Sequence, residues 1–260
     1  TLESSLRHAL ERGEFELHYQ AKREMNDHIS GMEVLLRWQH PDLGIVAPMQ
    51  FIPVAEETGL IIPIGKWVLS TACRQNVAWQ KAGLPSIAIA VNLTARQFND
   101  ENLLDDIRAV LTDTGMDPHL LELEITESML MRDVDKTLLI LKSFKEMGIR
   151  IAIDDFGVGY SSLSALKQFP IDTIKIDRSF IRDVVSDQGE RDLTAAIIAM
   201  GRTLSLTLVG QGVETKEQVD LLRGQSCDEF QGFYFNRPLP PEQIAELLRG
   251  QGGKPSAAAW

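Results

Sequence analysis

Eight short runs rich in isoleucine, valine and leucine recur along this chain, and longer stretches with helical spacing separate most of them. This alternation is typical of strand–helix units that build a mostly parallel sheet. The predicted strands cover residues 15–22, 31–37, 87–93, 120–125, 149–154, 173–176, 206–210 and 229–235. The predicted helices include residues 64–81, 102–114, 134–147, 191–204 and 216–223. Gly83, Gly115 and Gly148 follow three of these helices, where a C-terminal cap favours a left-handed residue.

The first two predicted strands are joined by residues 23–30, too few for the crossover that parallel neighbours require. We therefore expect an antiparallel hairpin with its turn at Asn26-Asp27. The pattern favours one domain over residues 1–250, a modified (β/α)8 barrel of the TIM type with an antiparallel first strand. An open doubly wound sheet is the alternative, but no glycine-rich dinucleotide fingerprint follows an early strand. Residues 251–260 are predicted to be disordered or to have been added for expression.

The composition is that of an ordinary globular protein, with 44% hydrophobic and 24% charged residues. No run reaches the about 18–20 apolar residues of a membrane span, so no membrane contact is predicted for this segment. Cys73 and Cys227 stand far apart and outside any metal-ligand motif, which indicates a reducing compartment. We expect a cytoplasmic location, for the chain itself or as the cytosolic domain of a larger membrane-anchored protein. The net charge of −11 argues against a nucleic-acid polymer as partner.

Polar or ionisable side chains stand at six consecutive predicted strand ends. They are Asn92, Glu124, the pair Asp154-Asp155, Lys175, Gln211 and Gln231. A barrel gathers the carboxyl ends of its strands on one face, which is where barrel enzymes carry their active sites. Each side chain alone is explained by a solvated turn, but their convergence predicts a functional site.

The aspartate pair predicts a metal site, because two adjacent carboxylates repel each other unless a cation binds or a pKa rises. Carboxylates and an amide oxygen are hard ligands, and the histidines show no metal-binding spacing. The set therefore favours Mg, Mn or Ca over Zn or Cu. Asp154 between two ions, with Asp155 on the second, would suit two-metal hydrolysis. Lys175 would orient the attacking water or neutralise developing charge.

Several specific segments occur in one order along the chain. They include Glu33-Val34-Leu35, Asn92-Leu93-Thr94, Glu124-Ile125-Thr126-Glu127, Asp154-Asp155-Phe156-Gly157, Ile174-Lys175-Ile176-Asp177, Gln211-Gly212-Val213-Glu214 and Gln231-Gly232-Phe233. With these segments the chain resembles the EAL family of bacterial cyclic di-GMP phosphodiesterases over residues 2–249. The resemblance implies a modified TIM barrel that hydrolyses the second messenger cyclic di-GMP to linear pGpG.

The resemblance also implies roles for individual residues. Two Mg²⁺ or Mn²⁺ ions would be bound by Glu33, Asn92, Glu124, Asp154 and Asp155. The residues implied to contact substrate are Leu35, Arg37, Glu214 and Gln231. Lys175 would lie near the nucleophilic water, and Glu127 would hold the loop after Asp155.

Partners follow from the same resemblance. Cyclic di-GMP is the implied ligand, and the family often forms homodimers. The loop after Asp155 and a helix over 161–168 are where we expect the dimer contact. A sensory or GGDEF-type domain is expected upstream in a longer protein.

Two positions depart from the family pattern. Val34 replaces alanine in the signature triplet, a small apolar change that leaves Glu33 in place. Gln211 stands where the family has a glutamate assigned to the second metal or the water. Glutamine keeps the shape but has neither the charge nor the basicity, so turnover is expected to fall more than binding. A deliberate isosteric replacement explains Gln211 at least as well as natural drift.

Two other functions stay open at this point. A non-catalytic cyclic di-GMP receptor would use the same pocket, which Gln211 favours and the retained metal ligands oppose. A barrel glycosidase that uses two carboxylates is the weaker alternative. Sugar hydrolysis does not need adjacent aspartates, an asparagine and a lysine together.

Overall fold

Nine strands form one sheet in the computed structural model, which describes residues 2–159 and 166–251. The strands are β1 (Phe15–Glu24), β2 (Ile29–His40), β3 (Gly44–Val46), β4 (Ala88–Asn92), β5 (Leu121–Thr126), β6 (Arg150–Phe156), β7 (Thr173–Ile176), β8 (Thr207–Gln211) and β9 (Glu229–Gln231). Eight of them close into a barrel because β1 pairs with both β2 and β9. β3 pairs with the last residues of β2.

Helices follow most strands and cover the outside of the barrel, as in a TIM barrel. They are α1 (Leu2–Ala9), α2 (Pro48–Thr58), α3 (Ile61–Lys81), α4 (Ala95–Phe98), α5 (Leu103–Thr114), α6 (Glu127–Leu130), α7 (Val134–Glu146), α8 (Arg178–Arg182), α9 (Gln188–Thr203), α10 (Lys216–Gly224) and α11 (Pro241–Gly250). A short 3₁₀ helix, Pro118–Leu120, precedes β5.

The direction of β1 confirms the predicted modified barrel. β1 is antiparallel to both of its neighbours, while the pairs from β2–β4 round to β8–β9 are parallel. The turn between β1 and β2 contains Asp27 in a left-handed conformation, with φ of 64°. The three glycines expected after helices, Gly83, Gly115 and Gly148, also have positive φ values.

Some predicted boundaries were wrong. The last strand was predicted over 229–235 but ends at Gln231. Beyond Gln231 the backbone bonds to Val213 and not to a strand, since the N–H of Tyr234 donates to the Val213 carbonyl oxygen at 3.0 Å. This approach requires glycine at 232, where a Cβ would lie 2.0 Å from that oxygen. The segments α1, β3, α2 and α11 were not predicted. Of these, α2 contains Pro53 within the helix, which weakens its sequence signal.

β5 presents glutamates to the barrel interior and apolar side chains to the helices. In β5, Glu122 and Glu124 are buried and contact lysines on β1 and β7, strands that are not neighbours of β5. Those contacts cross the interior. The alternate residues of β5 belong to the apolar core, and they are Leu121, Leu123 and Ile125. The barrel interior is therefore charged, and its stability requires paired groups.

Among the described residues, no helix combines the length and apolar character needed to cross a membrane. Cys73 and Cys227 are both buried and form no disulfide. Two predictions fall outside the described residues, namely the tail beyond Gln251 and the 161–165 part of the predicted helix over 161–168.

Candidate active site

The barrel brings the predicted strand-end residues to one end of its interior. Asn92 lies opposite Glu124 in the pairing of β4 with β5, and Asp154 lies opposite Thr126 in the next pair. Gln211 lies opposite Gln231 where β8 pairs with β9. Glu33 lies in β2, the strand that pairs with β4. Neighbouring parallel strands thus place these groups side by side.

Lys175, from β7, occupies the centre of this group and is fully buried. Its Nζ lies 2.5 Å from Glu124 Oε2, 3.2 Å from Glu33 Oε2 and 3.2 Å from Asp154 Oδ1. Burial alone would lower the pKa of Lys175, but the three carboxylates raise that pKa well above its ordinary value. These contacts favour the charged ammonium form of Lys175.

The three carboxylates around Lys175 can hold a metal ion. Glu33, Glu124 and Asp154 each offer an oxygen within 4.8 Å of the others. Burial, with the nearby charges of Glu33 and Asp154, raises the pKa of Glu124 to about 8 despite Lys175. Glu124 Oε1 and Asp154 Oδ1 are buried and accept no hydrogen bond from the described residues. Each of these two oxygens has only an ion-pair contact, Asp154 Oδ1 with Lys175 at 3.2 Å and Glu124 Oε1 with Lys22 at 3.7 Å, so both keep lone pairs that a cation could use.

Hydrogen bonds fix the Glu33 carboxylate. Asn92 Nδ2 donates to Oε1 at 2.9 Å, and Gln231 Nε2 donates to Oε2 at 2.5 Å. Gln231 Nε2 also donates to Gln20 Oε1 at 3.1 Å. Burial would raise the pKa of Glu33, but Lys175 and these two amide donors lower it. These contacts favour the ionised form of Glu33.

Asp155 lies apart from the three-carboxylate cluster. Its backbone has a φ of 52°, and the strand pairing shifts register between Ile153 and Phe156. Its carboxyl forms a hydrogen bond with that of Asp177. Burial and the charges of Asp154 and Asp177 raise the pKa of Asp155 to about 6. The irregular end of β6 thus directs two adjacent carboxylates to different surroundings.

Glu127 contacts the loop that follows Asp155. Its buried carboxylate accepts hydrogen bonds from the backbone N–H groups of Gly157 at 3.1 Å and Gly159 at 3.2 Å. A Cβ on Gly159 would lie 2.9–3.1 Å from that carboxylate, so the approach favours glycine. The first residue of α6 therefore fixes the start of this loop.

The remaining predicted site residues surround this cluster less closely. Leu35 and Arg37 are half-buried and share the inward face of β2 with Glu33. Gln211 is half-buried at the end of β8. Glu214 is exposed, and its backbone N–H donates to Gln218 Oε1 at 2.7 Å. The structure brings Glu214 into no contact with the three carboxylates.

Lys22 and Glu122 form an ion pair directly beneath the cluster and were not predicted. Lys22 is also 3.7 Å from Glu124 Oε1. The available sequence signal was the alternation of β1 and β5, which places Lys22 two residues from Gln20 and Glu122 two residues from Glu124. The pattern of polar strand ends from Asn92 to Gln231 includes neither residue.

This fold and site define a TIM-type barrel protein with a carboxylate-lined centre at the carboxyl ends of its strands. The chain belongs to the EAL domain family, whose model matches residues 3–238.

Named relatives agree with this membership. The chain is 48% identical over 240 residues to the bifunctional diguanylate cyclase/cyclic di-GMP phosphodiesterase MucR of Pseudomonas aeruginosa. This match covers 92% of this chain and 35% of MucR. It is 37% identical over 239 residues to the cyclic di-GMP phosphodiesterase PdeR of Escherichia coli, covering 92% of this chain and 36% of PdeR. The chain thus spans about a third of the length of these relatives.

A solved structure, the PaMucR phosphodiesterase in complex with c-di-GMP, matches with a TM-score of 0.91 and 48% sequence identity. The match covers 94% of this chain and 99% of that one.

Proposed function

We propose that this chain hydrolyses cyclic di-GMP to linear pGpG in a metal-dependent reaction. The observation that supports this most is the cluster of Glu33, Glu124 and Asp154 in a chain of the EAL domain family. Two relatives are named as cyclic di-GMP phosphodiesterases, and the 48%-identical solved structure is a c-di-GMP complex.

The residues present fit a hard divalent cation. Three carboxylates converge within 4.8 Å, and Glu124 Oε1 and Asp154 Oδ1 are buried acceptors without a hydrogen-bond donor among the described residues. Oxygen donors of this kind suit Mg²⁺ or Mn²⁺. When bound, such an ion supplies Lewis-acid charge to a phosphoryl oxygen and lowers the pKa of water.

Asn92 and Asp155 complete the proposed set of ligands. The side-chain amide of Asn92 presents its nitrogen to Glu33. Its oxygen can become a ligand only if the amide group rotates by half a turn. Asp155 follows Asp154 directly and is proposed to hold a second ion together with it.

Lys175 has an electrostatic role in this proposal. Its ammonium lies 3.2 Å from Asp154 and 2.5 Å from Glu124, contacts that favour its charged form. A buried, fixed cation stabilises negative charge that develops on a phosphoryl group, and it orients a water by donating a hydrogen bond.

Substrate contacts are proposed for residues near the mouth of the barrel. Arg37 is a half-buried guanidinium on the inward face of β2, a group suited to phosphate. Leu35 lies between Arg37 and Glu33 on that face, and Gln231 adjoins Glu33 from β9. Glu214, exposed after β8, is proposed to reach the nucleotide from the rim.

Gln211 is proposed to lower turnover. It occupies the end of β8 beside Gln231 but offers an amide where the family places a carboxylate. An amide accepts no proton and carries no charge for a second ion. Loss of one acid–base group costs about 10²- to 10⁴-fold in rate.

A cyclic di-GMP receptor without catalysis is the second candidate, and Gln211 is the observation that favours it. The experiment is incubation with cyclic di-GMP in Mg²⁺, in Mn²⁺ and in EDTA, with chromatographic detection of pGpG. The phosphodiesterase proposal expects slow pGpG formation in either metal and none in EDTA. Tight binding without pGpG in any condition favours the receptor, and absence of binding refutes both.

The setting in the cell belongs to the same proposal. Relatives about three times as long support a sensory or GGDEF-type domain in a longer signalling protein. Homodimerisation of this domain is part of the same proposal. The two buried, unbridged cysteines suit the expected cytoplasmic location. Light scattering coupled to gel filtration tests the dimer.

A further inference from the structure

Beneath the three-carboxylate cluster, the barrel interior contains a second polar layer. Lys22 on β1 and Glu122 on β5 form an ion pair there, and both side chains are almost completely buried. Gln20 and Lys22 are two residues apart in β1, so both face the interior. Because β1 runs antiparallel to its neighbours, Lys22 lies at a lower level than Gln20. Gln20 contacts Gln231 at the upper level, and Lys22 contacts Glu122 at the lower one.

Glu122 is anchored on the side away from Lys22. Thr173 Oγ1 donates to Glu122 Oε2 at 2.9 Å, and Arg150 Nη2 lies 3.7 Å from the same oxygen. The other oxygen, Oε1, accepts from Lys22 Nζ. Lys22 is therefore attached to a fixed acceptor and cannot move up into the metal cluster without breaking that bond.

Lys22 also faces the metal cluster. Its Nζ lies 3.7 Å from Glu124 Oε1, the oxygen that accepts no hydrogen bond from the described residues. The other oxygen, Glu124 Oε2, is bonded to Lys175. The Glu124 carboxylate thus lies between two buried lysines, one at each oxygen, and this fixes its rotation about the last side-chain bond.

We propose that Lys22 is a positioning residue for metal binding, which holds Glu124 so that the carboxylate faces the Glu33 and Asp154 oxygens. The chain of contacts runs from Thr173 through Glu122 and Lys22 to Glu124. This inference rests on the proposed function, because it requires Glu124 to be a metal ligand. Lys22 touches neither the substrate nor the reacting atoms.

The test uses the double variant Lys22→Met/Glu122→Met. It removes one charge of each sign, so the net charge near the metal site is unchanged. The matched control is Lys66→Met/Asp106→Met, which removes an ion pair of 2.5 Å between α3 and α5, outside the barrel. Mn²⁺ affinity is measured from the free-ion electron paramagnetic resonance signal, and folding is measured by thermal unfolding.

The proposal expects the folded double variant to bind Mn²⁺ about 10- to 100-fold more weakly than the parent, the usual effect of losing a group that orients a metal ligand. The control should bind like the parent, and saturating Mn²⁺ should restore the variant's turnover. A purely structural role would move the unfolding temperature and leave the Mn²⁺ affinity unchanged, which overturns the proposal. If the double variant does not fold, the charge-neutral pair Lys22→Gln/Glu122→Gln takes its place with the same expectation. Failure of the parent itself to bind Mn²⁺ would instead refute the metal site, and with it this inference.

Discussion

Replacing Lys175 with methionine removes the cation that contacts Glu33, Glu124 and Asp154 together. At an effective dielectric constant of about 20, one unit-charge contact at 2.5–3.2 Å corresponds to about 5–7 kcal/mol. Desolvation of the ammonium opposes much of this attraction. Breaking a buried ion pair by deleting one partner costs about 3–5 kcal/mol, and we expect a loss of that size in the free energy of unfolding at pH 8.

The loss should shrink as the pH falls. Burial and carboxylate repulsion already raise the pKa of Glu124 to about 8 with Lys175 present, and removing the lysine raises it further. Below that pKa the folded protein takes up a proton that offsets part of the missing positive charge. Urea unfolding of Lys175→Met at pH 6 should therefore show a smaller deficit than at pH 8. Mn²⁺ at about 100 times its dissociation constant should restore about 2.7 kcal/mol.

Lys145→Met is the matched control. Lys145 lies 2.7 Å from Asp172 in a pair that keeps about a third of its surface exposed, so its loss should cost about 0–1 kcal/mol. Equal losses for Lys175→Met and Lys145→Met at pH 8 would refute the view that Lys175 neutralises a buried carboxylate cluster. A larger deficit at pH 6 than at pH 8 would contradict the assigned direction of the Glu124 pKa.

Two further predictions concern the metal and the end of β9. Because the raised pKa of Glu124 is about 8, an incoming ion must displace a proton, and the apparent Mn²⁺ affinity should rise up to about tenfold per pH unit until pH 8. Isothermal titration from pH 6.5 to 8.5 checks this, and a flat profile would argue that Glu124 is already ionised. Gly232→Ala should lower the free energy of unfolding by about 3 kcal/mol or more, because its Cβ would meet the Val213 carbonyl oxygen at 2.0 Å. Gly224→Ala, with no atom within 4 Å, should leave stability unchanged or raise it by about 0.5–1 kcal/mol, and similar losses in both variants would refute the steric explanation.

The barrel could be predicted because its units repeat. Apolar runs of strand length alternate with helical spacing, and the short 23–30 connection permits only a hairpin. The end of β9 could not be predicted in this way. It depends on the backbone of Val213, about twenty residues earlier, approaching Gly232 after the barrel has closed.

The site was partly predictable for a similar reason. Strand ends in a parallel barrel converge, so the sequence alone is enough to group Asn92, Glu124, Asp154 and Lys175. The pairing of each acid with a lysine could not be predicted, because Lys22 meets Glu122 only across the closed barrel. The separation of Asp155 from Asp154 likewise depends on the register shift at the end of β6.

The most direct test of the central claim compares this chain with Gln211→Glu. Hydrolysis of cyclic di-GMP is measured in Mg²⁺ and in Mn²⁺, and ligand binding is measured in Ca²⁺ by calorimetry. A metal-dependent phosphodiesterase limited by Gln211 predicts similar binding by both proteins, slow pGpG formation by this chain, and a rate about 10²- to 10⁴-fold higher for Gln211→Glu. Binding by both proteins without cleavage by either would contradict the phosphodiesterase and leave a cyclic di-GMP receptor.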